Sequence, residues 1–210
     1  MKPYVPDPLP LKCLDVCRLI KRVGTANAAI ARYDGLLQSV VNPSVMLSPL
    51  TQREAVLSSK IEGTQATVDE VLEYEAGIEF DPEKTNDIKE VVNYRKTLTL
   101  ASESLTERPI TLSLIKLMHS ILMDSVRGAD KSPGQFRIEQ NWIGAAESTI
   151  ETAKFVPPDP LQLPNHLEAF EKYISGDDID TLVQCAVVHA NNRPSPTRSV
   201  SKVSSTCTAK

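Results

Sequence analysis

Residues 48 to 64 read SPLTQREAVLSSKIEGT, and both ends of this stretch carry helix punctuation. The Ser48 side chain can accept a hydrogen bond from the first turn of a helix, and Pro49 suits the first helical position. Gly63 can take the left-handed backbone conformation that commonly ends a helix. The stretch therefore predicts a helix from residue 49 to residue 62.

The sequence on either side of this helix is also mostly helical. Apolar residues recur every three or four positions, as on one face of a helix, and Thr67 with Glu70 forms a capping box. Asp180 can cap the last helix, whereas Gly24 can interrupt the first. The further predicted helices span about residues 11–37, 67–76, 87–105, 111–126, 164–175 and 181–190.

Residues 129 to 160 break the helical pattern. Pro133-Gly134 marks a turn. Two short runs with strand character lie between residues 136 and 156, and the small, polar segment 144–148 can close them into a hairpin. The predicted fold class is therefore mainly α, with one β-hairpin.

The composition is that of a soluble globular domain. The 210 residues are 41% hydrophobic and 24% charged. No apolar stretch approaches the ~18 residues of a membrane span, and the N-terminus lacks the apolar run of a signal peptide. Four cysteines without a C-x-x-C pair are too few for a disulfide framework. We therefore expect a cytoplasmic protein without membrane contact.

The net charge of −4 is unevenly distributed along the chain. Residues 191–210 hold four basic and no acidic residues, which leaves 19 basic and 27 acidic residues in residues 1–190. An acidic body does not favour nucleic-acid binding. The last segment also lacks Leu, Ile, Phe and apolar periodicity, so we expect a disordered tail there.

Several short motifs occur in order along the chain. They are Tyr4-Val5-Pro6 with Leu9-Pro10, Glu54-Ala55-x-x-Ser58-Ser59-x-Ile61-Glu62-Gly63-Thr64, Glu90-Val91-x-Asn93-Tyr94, Arg127-Gly128, Pro133-Gly134-x-Phe136-Arg137, Gln140-Asn141-Trp142-Ile143-Gly144 and Ala153-x-Phe155-Val156-Pro157-Pro158. In this order they resemble the Fic/DOC family. More narrowly, they resemble its subgroup with an inhibitory helix on the N-terminal side of the Fic core.

The resemblance implies a protein adenylyltransferase, which transfers AMP from ATP, with Mg²⁺, to a Ser, Thr or Tyr hydroxyl of a target protein. In the family signature His-x-Phe-x-(Asp/Glu)-Gly-Asn-Gly-Arg-x-x-Arg, the His is the base, the acidic residue holds Mg²⁺, and the glycine-rich turn and Arg hold the phosphates. The 210 residues do not contain this signature. We therefore assign no catalytic residue and no metal ligand.

The resemblance also assigns a regulatory role to Ser58, Glu62 and Gly63, which match the family's inhibitory motif. The spacing of four places Ser58 and Glu62 on one helix face. In the family the Glu pairs with the final Arg of the signature and blocks productive placement of the ATP γ-phosphate. The alternative interpretation of such a Ser/Glu pair is a solvated helix face.

The predicted hairpin resembles the family's flap, which positions the target by hydrogen bonds of the strand-addition kind. The alternative is a hairpin that only covers the core. The target-docking residues implied by the match are Asn141, Trp142, Ile143 and Gly144. The resemblance divides the chain into an N-terminal region with the inhibitory helix (1–80), a partial Fic core with the flap at about 136–156 (81–190), and a non-homologous tail (191–210).

The resemblance stops near Ala190. In the family the last helix continues for several residues to the catalytic His, which would fall near Pro196, whereas here a basic, Ser/Thr-rich segment begins. We interpret this as truncation before the signature, by a frameshift or an alternative end, and expect an inactive protein. His189 lies near the expected place, but Ala190-Asn191-Asn192 follows it instead of the rest of the signature.

Two further expectations concern partners. The first is an alternative function, a non-catalytic, antitoxin-like module that supplies the inhibitory helix in trans to an intact Fic core. The second is self-association, because missing distal helices would leave apolar residues of the last helix uncovered. These residues are Leu182, Val183, Ala186 and Val187.

Overall fold

The computed structural model describes residues 2–127, 129–145 and 147–191. Within these ranges the protein contains seven α-helices and no β-sheet, which confirms the mainly α fold class. The helices are α1 (Val16–Gln38), α2 (Pro43–Ile61), α3 (Val68–Glu75), α4 (Pro82–Ser104), α5 (Leu112–Leu122), α6 (Leu163–Ser175) and α7 (Thr181–Asn191). No helix in this part of the chain is long and apolar enough to cross a membrane.

The described residues divide into two compact units. The central unit comprises residues 33–109, 113–127 and 129–135, and it therefore includes α2, α3 and α4. The terminal unit comprises residues 2–32, 110–112, 136–145 and 147–191, so it is assembled from both ends of the described chain.

The core of the central unit lies where α2 and α3 pack against α4. Its buried members are Ala55, Val56, Ala66, Val71, Ile88, Val91 and Val92. Ile88 and Ala55 are fully buried, and burial of a side chain as large as that of Ile88 contributes about 1.5 to 3 kcal/mol. These contacts hold the C-terminal half of α2 against α4.

Helix starts follow capping residues in the sequence. The predicted capping box is confirmed, because the Thr67 hydroxyl accepts a hydrogen bond from the Glu70 amide and the Glu70 carboxylate accepts one from the Thr67 amide. α4 begins earlier than predicted, because Asp81 caps it and Pro82 occupies its first turn. α1 continues through Gly24 without interruption.

The predicted start of α2 at Pro49 is wrong. The helix begins six residues earlier at Pro43, which serves as the first helical residue in place of Pro49. Pro49 lies inside the helix, where it lacks the N–H that would bond to the Val45 carbonyl. Pro43 and Pro49 are both suited to the first turn of a helix, and α2 begins at Pro43.

The terminal unit has its own small core. Tyr173, Val183 and Val187 are buried there, and Leu9, Leu11, Leu14, Val23 and Val188 pack against them. The side chain of Asp180 accepts hydrogen bonds from the Leu182 and Val183 amides, as expected of a cap. Asp180 also accepts a hydrogen bond from the Asn27 side chain of α1 at 2.8 Å.

The expectation that the apolar residues of α7 lack cover is wrong for two of the four. Val183 and Val187 are buried, because the proline-rich N-terminal segment and α6 pack against them. Leu182 is half-buried and Ala186 is exposed. The predicted disordered tail, apart from Asn191, lies outside the described residues.

The predicted hairpin at residues 136–156 does not form as a pair of strands in the described part of this segment. One isolated antiparallel bridge joins Ile143 to Phe155. Farther along, side chains replace the expected ladder, because Arg137 donates to the Pro158 carbonyl and Gln140 donates to the Pro157 carbonyl at 3.2 Å. Prolines have no N–H to donate, so a backbone ladder cannot continue past the bridge.

Candidate functional site

The predicted regulatory residues lie at the C-terminal end of α2. Glu62 is the C-cap residue with a right-handed backbone, and Gly63 follows with a φ of 107°. This confirms the left-handed helix stop predicted for Gly63, since such a φ strongly favours glycine. The Gly63 amide donates to the Lys60 carbonyl at 3.1 Å and closes the last turn.

Ser58 and Glu62 lie one turn apart but have different surroundings. The Ser58 hydroxyl donates to the Glu54 carboxylate at 2.6 Å, and the Tyr94 hydroxyl donates to the same oxygen at 3.0 Å. Burial raises the pKa of Tyr94, which keeps it protonated as a donor. The Glu62 side chain is exposed, and none of the described residues forms a hydrogen bond or ion pair with it. Its carboxylate therefore faces solvent.

The residues after Gly63 are attached to α4 through two carboxylates. The Thr64 hydroxyl donates to Glu90 at 2.8 Å, and the Gln65 amide donates to Asp87 at 2.7 Å. Thr64 is only 1% exposed. Because Thr64 and Gln65 directly follow the helix stop, these bonds determine where α2 ends relative to α4.

Arg127 lies on the other side of the same two carboxylates. Its Nε donates to Glu90 at 2.9 Å, and its terminal nitrogen donates to Asp87 at 3.3 Å. The hydrogen bond to Glu90 is the main cause that raises the pKa of Arg127. We call Thr64, Gln65, Asp87, Glu90 and Arg127 the anchor cluster.

The motif Glu90-Val91-x-Asn93-Tyr94 gains a structural explanation from these contacts. Val91 is in the core, Glu90 belongs to the anchor cluster, and Tyr94 donates to Glu54 of α2. The buried Asn93 amide donates to the Asp124 carbonyl at 2.8 Å, just after the end of α5. From the sequence, these polar residues counted only as part of the motif that resembles the family. Their signal was the run of Glu, Asn and Tyr beside the apolar residues Ile88, Val91 and Val92 on the same helix.

The predicted target-docking residues lie around the single bridge. The Ile143 amide donates to the Phe155 carbonyl at 2.8 Å, and the Phe155 amide donates back at 3.0 Å. Trp142 is 43% exposed, and its indole nitrogen donates to the Ser148 carbonyl at 2.8 Å. A Cβ at Gly144 would collide with the Ser148 side chain, so this position requires glycine. The structure brings Trp142, Ile143 and Gly144 together.

Asn141 and the N-terminal segment complete this region of the terminal unit. The Asn141 side-chain oxygen is buried and has no hydrogen-bond partner among the described residues. The Tyr4 amide donates to the Val156 carbonyl at 2.8 Å, and the Tyr4 ring lies 5.7 Å from that of Phe155. The segment 154–156 therefore has Ile143 on one side and the motif Tyr4-Val5-Pro6 on the other.

His119 and His189 have different surroundings in the described part of the chain. His119 is buried, and its Nδ1 accepts a hydrogen bond from the Gly134 amide at 2.8 Å. His189 is exposed near the end of α7. Within residues 2–127, 129–145 and 147–191, no group of three or more His, Cys, Asp or Glu side chains is arranged to hold a metal ion. Asp87 and Glu90 lie close together, but both are bonded within the anchor cluster.

Comparison with known protein families gives two matches. The Fic/DOC family N-terminal model matches residues 20–103, and the Fic/DOC family model matches residues 109–192. Together they span about four fifths of the chain. No curated protein matches the chain.

Proposed function

This chain belongs to the Fic/DOC family, and we propose that it is a Fic-type protein that does not itself transfer AMP. The observation that carries this proposal is the sequence, because its 210 residues contain no copy of the family's catalytic signature. The exposed His189 is near the place of the family's base, but it is followed by Ala190-Asn191-Asn192. The base, the metal ligand and the glycine-rich phosphate turn are all missing from this sequence.

ATP and Mg²⁺ are the cofactors that the family implies. Asp87 and Glu90, two acidic side chains that share the partner Arg127, are also bonded to Gln65 and Thr64 respectively. These residues do not fit a Mg²⁺ site, because their oxygens are already engaged. We therefore assign no step of AMP transfer to this chain. We also propose that the protein is located in the cytoplasm.

The experiment that tests inactivity measures label transfer from α-labelled ATP with Mg²⁺ to the chain itself and to candidate target proteins. We expect background transfer for the wild type and for Glu62→Gly, since there is no active site for Glu62 to obstruct. Transfer above background that is lost in His189→Ala would identify His189 as the base and contradict the proposal. Strong activation by Glu62→Gly would contradict it as well.

A second candidate function is inhibition in trans, in which this chain presents the end of α2 to the Fic core of another protein. The observation that favours it is the exposure of the Glu62 carboxylate at a helix end that the anchor cluster holds in place. Such a carboxylate is available to pair with an arginine of a separate catalytic signature.

Inhibition in trans is tested with an intact Fic enzyme whose own inhibitory Glu has been replaced by Gly. We expect the wild-type chain to reduce its AMP transfer and Glu62→Gly to lose this effect. Glu73→Gln is a matched control, because it also removes a helix carboxylate of the central unit. Equal inhibition by the wild type and Glu62→Gly would contradict the role of Glu62.

The flap residues have a proposed role in docking the target protein. Ile143 uses both its amide and its carbonyl toward Phe155 and Lys154. In an extended chain the backbone groups of neighbouring residues point to opposite sides, so those of Trp142, which precedes Ile143 and the bend at Gly144, face away from this bridge. An extended segment of the target can pair with them by strand addition.

A further inference from the structure

We propose that Arg127 is a positioning residue for the C-terminal end of α2, and that it acts through Glu90 and Asp87 on Thr64 and Gln65. The consequence for regulation rests on the proposed role of Glu62 in trans. The positioning itself concerns only contacts inside the central unit.

Both carboxylates of the anchor cluster accept hydrogen bonds from Arg127 and from the segment after α2. Glu90 accepts from Arg127 Nε at Oε1, at 2.9 Å, whereas its Oε2 accepts from both the Thr64 hydroxyl at 2.8 Å and a terminal nitrogen of Arg127 at 3.2 Å. Asp87 accepts from Arg127 at Oδ1 and from the Gln65 amide at Oδ2. Arg127 therefore fixes both carboxylates in the orientation that receives Thr64 and Gln65.

Without Arg127 the two carboxylates would lie close together on α4 with uncompensated negative charge. Residues three apart on a helix are neighbours, and like charges there repel. The Asp87 and Glu90 side chains are 13% and 22% exposed, so water screens this repulsion only in part. The expected response is that one carboxylate turns toward solvent and releases its partner after Gly63.

The position of Arg127 is itself determined by the loop that follows α5. Asn93 of α4 holds the start of this loop through the carbonyls of Leu122 and Asp124. His119 holds its other end through the Gly134 amide. The loop is thus attached on both sides of Arg127, and Asn93 lies on the same helix as Glu90.

Thr64 lies two residues after Glu62 and connects the anchor cluster to the last turn of α2. The Thr64 amide donates to the Ser59 carbonyl at 3.2 Å, and the Glu62 amide donates to the same carbonyl at 3.0 Å. The last turn of α2 and the anchored Thr64 therefore share one acceptor. A shift of Thr64 changes this turn and with it the direction of the Glu62 side chain.

Residue-resolved amide exchange in the full chain tests the positioning directly. We expect Arg127→Gln to speed exchange of the Thr64 and Gln65 amides about tenfold. Arg95→Gln is the matched control, because it removes another arginine of the central unit that pairs with a glutamate, Glu75, away from the end of α2. Unchanged exchange in Arg127→Gln, or an equal effect of Arg95→Gln, overturns the proposal.

Substitutions at Thr64 test the same positioning without changing Arg127 or its charge. Thr64→Val keeps the branched shape but removes the hydroxyl that donates to Glu90, whereas Thr64→Ser keeps it. We expect faster exchange of the Gln65 amide in Thr64→Val and recovery in Thr64→Ser. Equal exchange in the two variants overturns the proposal even where Arg127→Gln fails to fold.

The regulatory consequence is measured with the Fic enzyme whose own inhibitory Glu has been replaced by Gly. We expect Arg127→Gln to raise the concentration for half-inhibition about tenfold, in parallel with the faster exchange. Faster exchange without weaker inhibition shows that Arg127 has a purely structural role and overturns its regulatory part. If the wild type does not inhibit, the proposed function in trans fails, and the exchange measurement alone decides the positioning.

Discussion

Helices α1 and α4 are both 23 residues long, but α4 buries six of its residues and α1 buries none. Composition alone would suggest the opposite, because α4 has more charged residues than α1. α4 is buried because α2 and α3 pack against it, whereas Ile20 and Ile30 of α1 are each more than half exposed. An apolar stripe predicts a helix, but the partners of that helix determine what the stripe buries.

The largest effect that separates the two helices is expected from core truncation. Ile88→Ala in α4 removes a fully buried side chain and should lower the free energy of unfolding by about 3 kcal/mol. Ile20→Ala in α1 makes the same change at a position that is 68% exposed and should cost less than about 0.5 kcal/mol. Urea denaturation followed by circular dichroism measures both. Similar losses would show that α1 is buried in solution.

Two asparagines provide the next comparison. Asn93→Ala in α4 removes a buried amide and the part-buried hydrogen bond that it donates to the Asp124 carbonyl, and should cost about 2 kcal/mol. Asn27→Ala in α1 removes an exposed hydrogen bond to Asp180 and should cost about 0.5 kcal/mol or less. The same denaturation experiment compares them, and a larger loss for Asn27→Ala would reverse the ranking of the two helices.

A glycine substitution in α1 should stabilise the protein. Gly24 lies inside the helix, and a Cβ there would meet nothing within 4 Å. Gly24→Ala should therefore raise the free energy of unfolding by about 1 kcal/mol. Gly134→Ala is the opposite control, because its φ of 74° and a Cβ contact of 3.0 Å with the Lys116 carbonyl predict destabilisation. A loss of stability in Gly24→Ala would mean that α1 has a partner at this position.

The smallest effect concerns pH and the first turn of α4. Lys84 of α4 pairs with Glu70 of α3 at 2.7 Å, and this contact is the main cause that lowers the pKa of Glu70. A lowered folded pKa stabilises the protein above the unfolded pKa of about 4.3, and this contribution is lost as pH falls through the folded value. As the pH is lowered from about 6 to about 3, the melting temperature of Glu70→Gln should therefore fall less than that of the wild type. Parallel curves would contradict the role of this pair.

Local signals in the sequence predicted the helices of this fold well. The capping box at Thr67 and the stop at Gly63 depend on neighbouring residues only, and the structure has both. The start of α2 was predicted wrongly because two prolines offered equivalent local signals. Local rules do not rank such alternatives, and most residues between the two prolines are exposed, so packing does not explain the earlier start.

The candidate site was predictable only in part. The positions of Ser58, Glu62 and Gly63 on one helix end follow from spacing, but the anchor cluster joins residues that are 22 to 40 positions apart. No periodicity indicates such contacts. The hairpin was predicted from strand character on both sides of a turn, but pairing past Phe155 fails because Pro157 and Pro158 supply no amide hydrogen.

Two hydrogen bonds affect the order in which the chain folds during synthesis. One joins Tyr4 to Val156, and the other joins Asn27 to Asp180. These contacts join residues 152 and 153 positions apart, so they must wait until Val156 and Asp180 have left the ribosome. Within residues 2–127, 129–145 and 147–191, the central unit contains no residue beyond 135, so we expect it to become ordered first. Pulse-labelled exchange on stalled nascent chains should show protection of α4 before any protection of residues 16–32 of α1, and residues 2–14 should be among the last to become ordered.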